Sequence, residues 1–284
     1  MNIKKSDKNN IQRGDLKHSF IKQIILTFEF NGLNKKEVLE AEEEVRNQLY
    51  DLGYTKYENL RYDEYEEEND ELKLGVGEKA LCRYLMPNSR TEILFSEDFV
   101  TIVDSIDRYK KIEGYFDALI LIIDALRGAS RFFIPKKLGI RKKNVCYLKK
   151  IEDLKEYFNV KIFPEYEYKT LFGIDKFVCE SKRDLWGKED LQIDYERWVV
   201  AGEIVHEKEN KDVFQVILDF DIYINDEEKI KEYIRSKEEC KKFLVRMNNV
   251  LYDLYVKSLN NDFLIDMTKD KFKENKIIGV TKNV

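Results

Sequence analysis

The chain is expected to be an α+β protein built as two similar lobes, each made mostly of antiparallel strands packed on a long amphipathic helix. Two observations carry this. Near its start an alternating strand runs into a capped helix with an apolar stripe, and each half ends on a hairpin followed by a long apolar-faced helix. With 284 residues and a hydrophobic fraction of 43%, the chain can build a sizeable core as one large domain or two small ones. The expected segments are a polar leader over 1–19, an N-terminal lobe over 20–158, a C-terminal lobe over 159–259 and a tail over 260–284.

Residues 20–30 read as a strand, because Ile24, Leu26, Phe28 and Phe30 alternate with Gln23, Thr27 and Glu29. Gly32 breaks it. Asn34 then caps a helix with Glu37 three residues on, and Val38, Leu39, Val45, Leu49 and Leu52 recur at helical spacing up to a stop at Gly53. Tyrosine-rich, acidic sequence over 54–68 suggests a strand entering an exposed loop. Strands follow over 80–86, 91–96 and 99–103, separated by Pro87-Asn88-Ser89 and by a tight turn at Glu97-Asp98. The helix over 106–126 carries Ile112, Phe116, Leu119, Ile123 and Leu126 on one stripe. Ile120, Leu121 and Ile122 make it apolar nearly all round, so burial on several sides is expected, with Gly128 as its end.

Short strands over 131–134 and 138–148 lead to a small helix over 151–158. The second half opens with strand-like aromatic sequence over 160–179 and forms a long hairpin from 197–206 and 213–224. Ser236 and Glu239 make a second capping box. It starts a helix with Cys240, Phe243, Leu244, Met247, Leu251, Leu254 and Tyr255 on one face. The tail from residue 260 onward is expected to dock loosely.

Charged residues reach 37% yet nearly cancel to a net charge of −5, which offers no broad field for gripping a phosphate backbone. Cys82, Cys146, Cys179 and Cys240 lie far apart, without the close pair from which zinc sites are built. Residues 1–13 are polar and lysine-rich, unlike a signal peptide, and the longest apolar run, 118–123, cannot span a bilayer. A cytoplasmic, non-membrane protein with reduced thiols is the expectation.

No catalytic set, metal site or cofactor is expected. His18 and His206 are the only histidines, and no Gly-x-Ser-x-Gly elbow accompanies them. Gly75-Val76-Gly77 lacks the third glycine and the helix of a phosphate loop, so it reads as a turn. Glu71-Leu72-Lys73 and Glu167-Tyr168-Lys169 have the acid-x-lysine spacing of metal nucleases, but chance supplies such triplets in a chain this charged. Asp219 and Asp221 share a strand face and could hold a divalent cation with Glu203 or His206; the plainer reading is the wet face of a half-buried strand. Basic character is concentrated over 127–150. There Arg131, Lys136, Lys137, Arg141, Lys142, Lys143 and neighbouring lysines accompany Phe132, Phe133 and Tyr147, a pattern suited to nucleic acid, to an acidic protein face, or to an ordinary solvated sheet edge.

Within that segment, Leu138-Gly139-Ile140-Arg141-Lys142-Lys143-Asn144 resembles the R-x-G-(L/I)-R-x-x-N strand of a sporadically distributed, functionally uncharacterised bacterial family of about this length. Lys137 stands where that family often has arginine. The likeness covers roughly the first 160 residues and includes the hairpin and aromatic-bearing helix over 95–126. It implies an α+β fold and transfers no catalytic residues. It also implies that Gly139 allows a bulge or close backbone approach, and that Arg141 and Asn144 bond a neighbouring strand or loop. Patchy distribution accompanies mobile elements and phage–host conflict. A non-enzymatic accessory protein that binds a protein partner, with homo-oligomerisation an option, is therefore the leading functional expectation. A metal-dependent nuclease or related phosphoryl-transfer enzyme, and a nucleic-acid-binding module built on the Arg131 to Lys150 segment, are the alternatives.

Overall fold

A computed structural model describes residues 11–60, 80–87, 90–106, 112–163, 180–188, 190–205, 212–272 and 277–283. It shows an α+β fold. The N-terminal region supplies β1 (His18–Ser19), β2 (Ile21–Asn31), α1 (Lys35–Asp51), β3 (Lys56–Asn59), β4 (Ala80–Leu85), β5 (Thr91–Ser96), β6 (Phe99–Ser105), α2 (Glu113–Ala129), β7 (Ile134–Leu148) and the short α3 (Leu154–Tyr157). The remainder supplies β8 (Glu180–Lys188), β9 (Leu191–Val205), β10 (Asp212–Ile224), α4 (Glu227–Tyr233), α5 (Lys237–Ser258), α6 (Asn261–Asp266), β11 (Ile277–Ile278) and β12 (Thr281–Lys282).

The expected division into two lobes is not confirmed. Strands from both halves join one antiparallel sheet in the order β3-β4-β5-β6-β2-β7-β10-β9-β8, with β11 continuing beside β7. Strand β7 is the seam: β2 pairs along one side of it and β10 along the other. Of residues 131–134, expected as a short strand, only Ile134 is strand; it runs on through Pro135 into the strand expected over 138–148, making one β7. Proline cannot donate to the ladder, and the β2–β7 register shifts between Glu29 and Phe30, opposite it.

Alternation decides what each strand buries. In β2, Ile24, Leu26, Phe28 and Phe30 face the core, and register places Leu26 opposite Ile140 and Phe28 opposite Leu138. Leu218, Phe220 and Ile222 of β10 extend the same face. Each such side chain contributes about 1.5–3 kcal/mol on burial. Helix α2 packs against both α1 and α5, and α5 packs on β7 and β10. Its nearly all-round apolar surface is accordingly buried from Tyr115 to Leu126. Gly128 lies inside this helix, which ends where Ser130 turns extended.

Asn34 and Glu37 form the expected capping box, with Asn34 Oδ1 accepting from the Glu37 amide at 3.1 Å and Glu37 Oε2 from the Asn34 amide at 2.8 Å. Gly32 has φ +82°, and a Cβ there would collide with the backbone carbonyl of Phe132 just before β7. Only glycine permits that approach. The C-terminal tail is structural rather than loosely docked. Phe263, Leu264, Met267, Ile277 and Val280 are buried, and β12 pairs with β1 through His18–Lys282 and Ser19–Thr281. Among the described residues, no helix is long and apolar enough to cross a membrane.

Candidate functional site

Strand β7 carries most of the basic segment, and its period of two splits those residues between opposite faces of the sheet. Lys137, Arg141 and Lys143 point away from the helices; Lys142 and Asn144 share the parity of Leu138, Ile140, Cys146 and Leu148 and point toward them. Arg131 is exposed in the turn before the strand. The seven residues therefore do not make one surface.

On the outer face the cations lie among carboxylates. Lys137 sits 3.7 Å from Glu29 and over the Tyr223 ring, whereas Lys136, at the register shift, meets Glu227 of helix α4 at 3.2 Å. Arg141 grips Asp219 with two parallel bonds, Nε to Oδ1 at 2.9 Å and Nη2 to Oδ2 at 2.7 Å. Asp219 does share its face with Asp221, but both of its oxygens accept from Arg141. Burial pushes Asp221 up to about 6, against the pull of Lys137 and Arg141. Among the described residues no group of three His, Cys, Asp or Glu side chains converges as metal ligands would. Gly139 runs in register between β2 and β10 without a bulge. Its role is close approach, since a Cβ there would lie 3.2 Å from Tyr223 Cβ and 3.4 Å from the Ile222 carbonyl.

His18 is buried in β1 against Phe272. Residues 61–68 of the acidic loop, the Gly75-Val76-Gly77 turn, Glu71-Leu72-Lys73, Glu167-Tyr168-Lys169, Cys179 and His206 lie outside the described residues.

The inward parity leads to a cleft. Its floor is Lys142, Asn144 and Phe220 on the sheet with Ser19 and Ile21 beside them; α5 supplies Leu251, Tyr252 and Tyr255 as a wall, and Arg13, Leu16 and Asn283 form the rim. Its volume is about 40 Å³. That suits one small group rather than a nucleotide. The rim is pinned by the tail: the Asn283 amide donates to the Lys17 carbonyl at 2.7 Å, its Nδ2 to the Leu16 carbonyl at 2.8 Å, and Ser19 Oγ lies 2.7 Å from its Oδ1.

Lys142 is 7% exposed, and its ammonium donates to Asn248 Oδ1 at 2.7 Å. Asn248, fully buried on α5, reaches Glu113 Oε1 at 3.5 Å, and Glu113 also accepts from Arg13 Nη1 at 3.0 Å. Arg13 additionally donates to Asn249 and lies beside the Tyr252 ring. A polar chain thus joins the sheet, two helices and the leader. Burial pushes the Lys142 ammonium down to about 7; Arg13 pushes the same way and Glu113 opposes them. Two groups in the cleft walls, Arg13 Nε and Asn144 Oδ1, are shielded from solvent and have no hydrogen-bond partner. One is a donor and the other an acceptor. The Asn144 Nδ2 is engaged with the Leu218 carbonyl of β10 at 3.0 Å.

In the sequence Lys142 and Asn144 stand among cations expected at a surface, but the fold buries both. Their shared parity with four apolar residues was the available signal. Arg13, Ser19, Asn248 and Asn283 carry no local signal, because only tertiary pairing of the two chain ends brings them to β7. No protein-family model matches the chain, and no curated protein matches it.

Proposed function

We propose that the protein is a non-enzymatic accessory protein that acts by binding a partner protein, and that the Lys142 cleft is where a group of that partner is received. The carrying observation is the co-location of a buried lysine with an unpartnered donor and an unpartnered acceptor in one small open cleft. Buried polar groups are ordinarily satisfied, so such a pair favours an external ligand. The cleft's chemistry is that of a receptor. Its one hydroxyl on the floor, Ser19, is engaged with Asn283 rather than facing a base. The phage–host conflict setting that the strand motif implies belongs to the same proposal.

The nuclease alternative has less support, since Arg141 occupies both oxygens of Asp219. The nucleic-acid alternative loses its continuous basic surface to the split across the sheet. The test is reconstitution. The chain is co-expressed with the products of its neighbouring genes, and any complex is rebuilt from purified components and weighed by light scattering. A defined hetero-complex that Arg13→Glu weakens at least about tenfold is expected. A chain that stays alone with every neighbour, or a complex indifferent to Arg13→Glu, contradicts the proposal.

A further inference from the structure

We infer that two copies of the chain associate edge to edge, β3 of one pairing antiparallel with β3 of the other about a two-fold axis at Tyr57. The inference is independent of the Lys142 cleft and gives a separate surface its own occupant, a second copy. β3 is an end strand of the sheet, and among the described residues nothing pairs with its outer edge. All four of its residues are exposed. An unpaired strand edge is a template for another strand. Hydrogen-bond parity shows which of its groups face outward. The Leu60 amide donates to the Leu81 carbonyl at 3.1 Å, so Leu60 and, by alternation, Glu58 and Lys56 bond toward β4. The N–H and C=O of Tyr57 and Asn59 therefore point to the open edge. An axis at Tyr57 makes the two Tyr57 residues a hydrogen-bonded pair and sets Asn59 opposite Thr55 of the second copy. The Thr55 amide is spent on the Gly53 carbonyl, which leaves its own carbonyl to accept from Asn59.

The side chains fit the same axis. Lys56 and Glu58 fall at positions without cross-strand hydrogen bonds, where facing side chains approach most closely. The axis sets Lys56 of each copy against Glu58 of the other, so the favourable pair forms twice. A lysine on an edge strand ordinarily discourages pairing. Here Glu58, two residues on and on the same face, makes the edge complementary to itself. Glu58 is held in place by Arg83 at 3.0 Å, and Lys56 makes no ion pair among the described residues. On the other face Tyr57 is 41% exposed, braced by the Tyr84 ring and by the Arg46 guanidinium. Tyr50, one helical turn beyond Arg46, and Leu52 are exposed as well. Three large apolar side chains thus stand in the open within residues 50–57, beside an unpaired edge.

Sedimentation equilibrium of the full chain tests this. The mass is expected to rise with concentration toward twice the 34.0 kDa of one chain. Lys56→Glu and Glu58→Lys, each alone, set like charges opposite each other and should weaken association at least about tenfold. An equimolar mixture of the two variants should recover it, because each then meets the opposite charge. Asn59→Pro should also weaken it, since the N–H it removes points outward and the ladder to β4 is untouched. Circular dichroism checks that each variant folds. A wild-type chain that stays monomeric at millimolar concentration overturns the inference. A dimer indifferent to all three variants, or folded charge variants whose mixture does not recover, overturns it too. A monomeric chain whose hetero-complex with another protein is lost in Asn59→Pro also overturns it, and assigns the edge to a foreign strand instead.

Discussion

Replacing Arg141 with alanine is expected to lower the folding free energy by about 3 kcal/mol. The reason is the partner left behind. Asp219 is 2% exposed on the outer face of β10, and both of its oxygens accept hydrogen bonds from the Arg141 guanidinium. Removing the guanidinium strands a buried carboxylate, whose desolvation then goes unmatched. Lys143 lies on the same face and is drawn toward Asp219, which keeps the loss toward the lower end of the range for broken buried pairs. Because the penalty belongs to the orphaned partner, an Arg141→Met, Asp219→Leu double variant should recover most of it. Urea denaturation followed by far-ultraviolet dichroism measures both. A midpoint shifted at unchanged slope is the expected result for the single variant, and additive losses in the double variant would show that the pair is not coupled.

The opposite sign is expected one residue further on. Lys142→Met should raise stability by about 1–3 kcal/mol at pH 7, since methionine fills a similar volume without a charge to desolvate. The gain is reduced by the donor that Asn248 loses. Its pH dependence follows from the direction of the lysine shift. Burial holds the ammonium at about 7 in the fold against 10.5 for an ordinary lysine, so over that window the unfolded chain binds the proton more tightly. Wild-type stability therefore rises with pH between these values, with the full penalty below the window and none above it. The variant's advantage is greatest at and below pH 7 and fades toward 10.5. The described charged or titratable groups around Lys142 include Arg13, Glu113, Tyr252 and Tyr255; burial pushes Tyr252 up to about 12 and Tyr255 well above the ordinary tyrosine value, so both stay neutral throughout.

How much of this was legible along the chain depended on the range of the interactions. β2, α1 with its Asn34–Glu37 box, and the three strands from Ala80 to Ser105 follow from alternation, capping and turn residues, which are local. Strand β8 and helix α4 are short or highly charged and carry no apolar stripe, so periodicity has nothing to act on. The single sheet was not legible. β7 reads alike whether it closes one lobe or joins two, and only its pairing with both β2 and β10 decides. The basic segment is the instructive case, because grouping its residues by sequence proximity hid what alternation already implied. Lys142 and Asn144 fall in step with Leu138 and Ile140, and a lysine in step with a core face is either paired or functional. The cleft itself waited on the chain ends, since Arg13 and Asn283 meet Lys142 only after β12 pairs with β1.

The central claim is that Lys142 is a buried cation whose proton is held weakly in the fold. Direct titration of its ε-carbon resonance by NMR, assigned by the signal missing from the Lys142→Met variant, tests this most directly. A midpoint near 7 is the predicted result. A midpoint in the ordinary lysine range would contradict it.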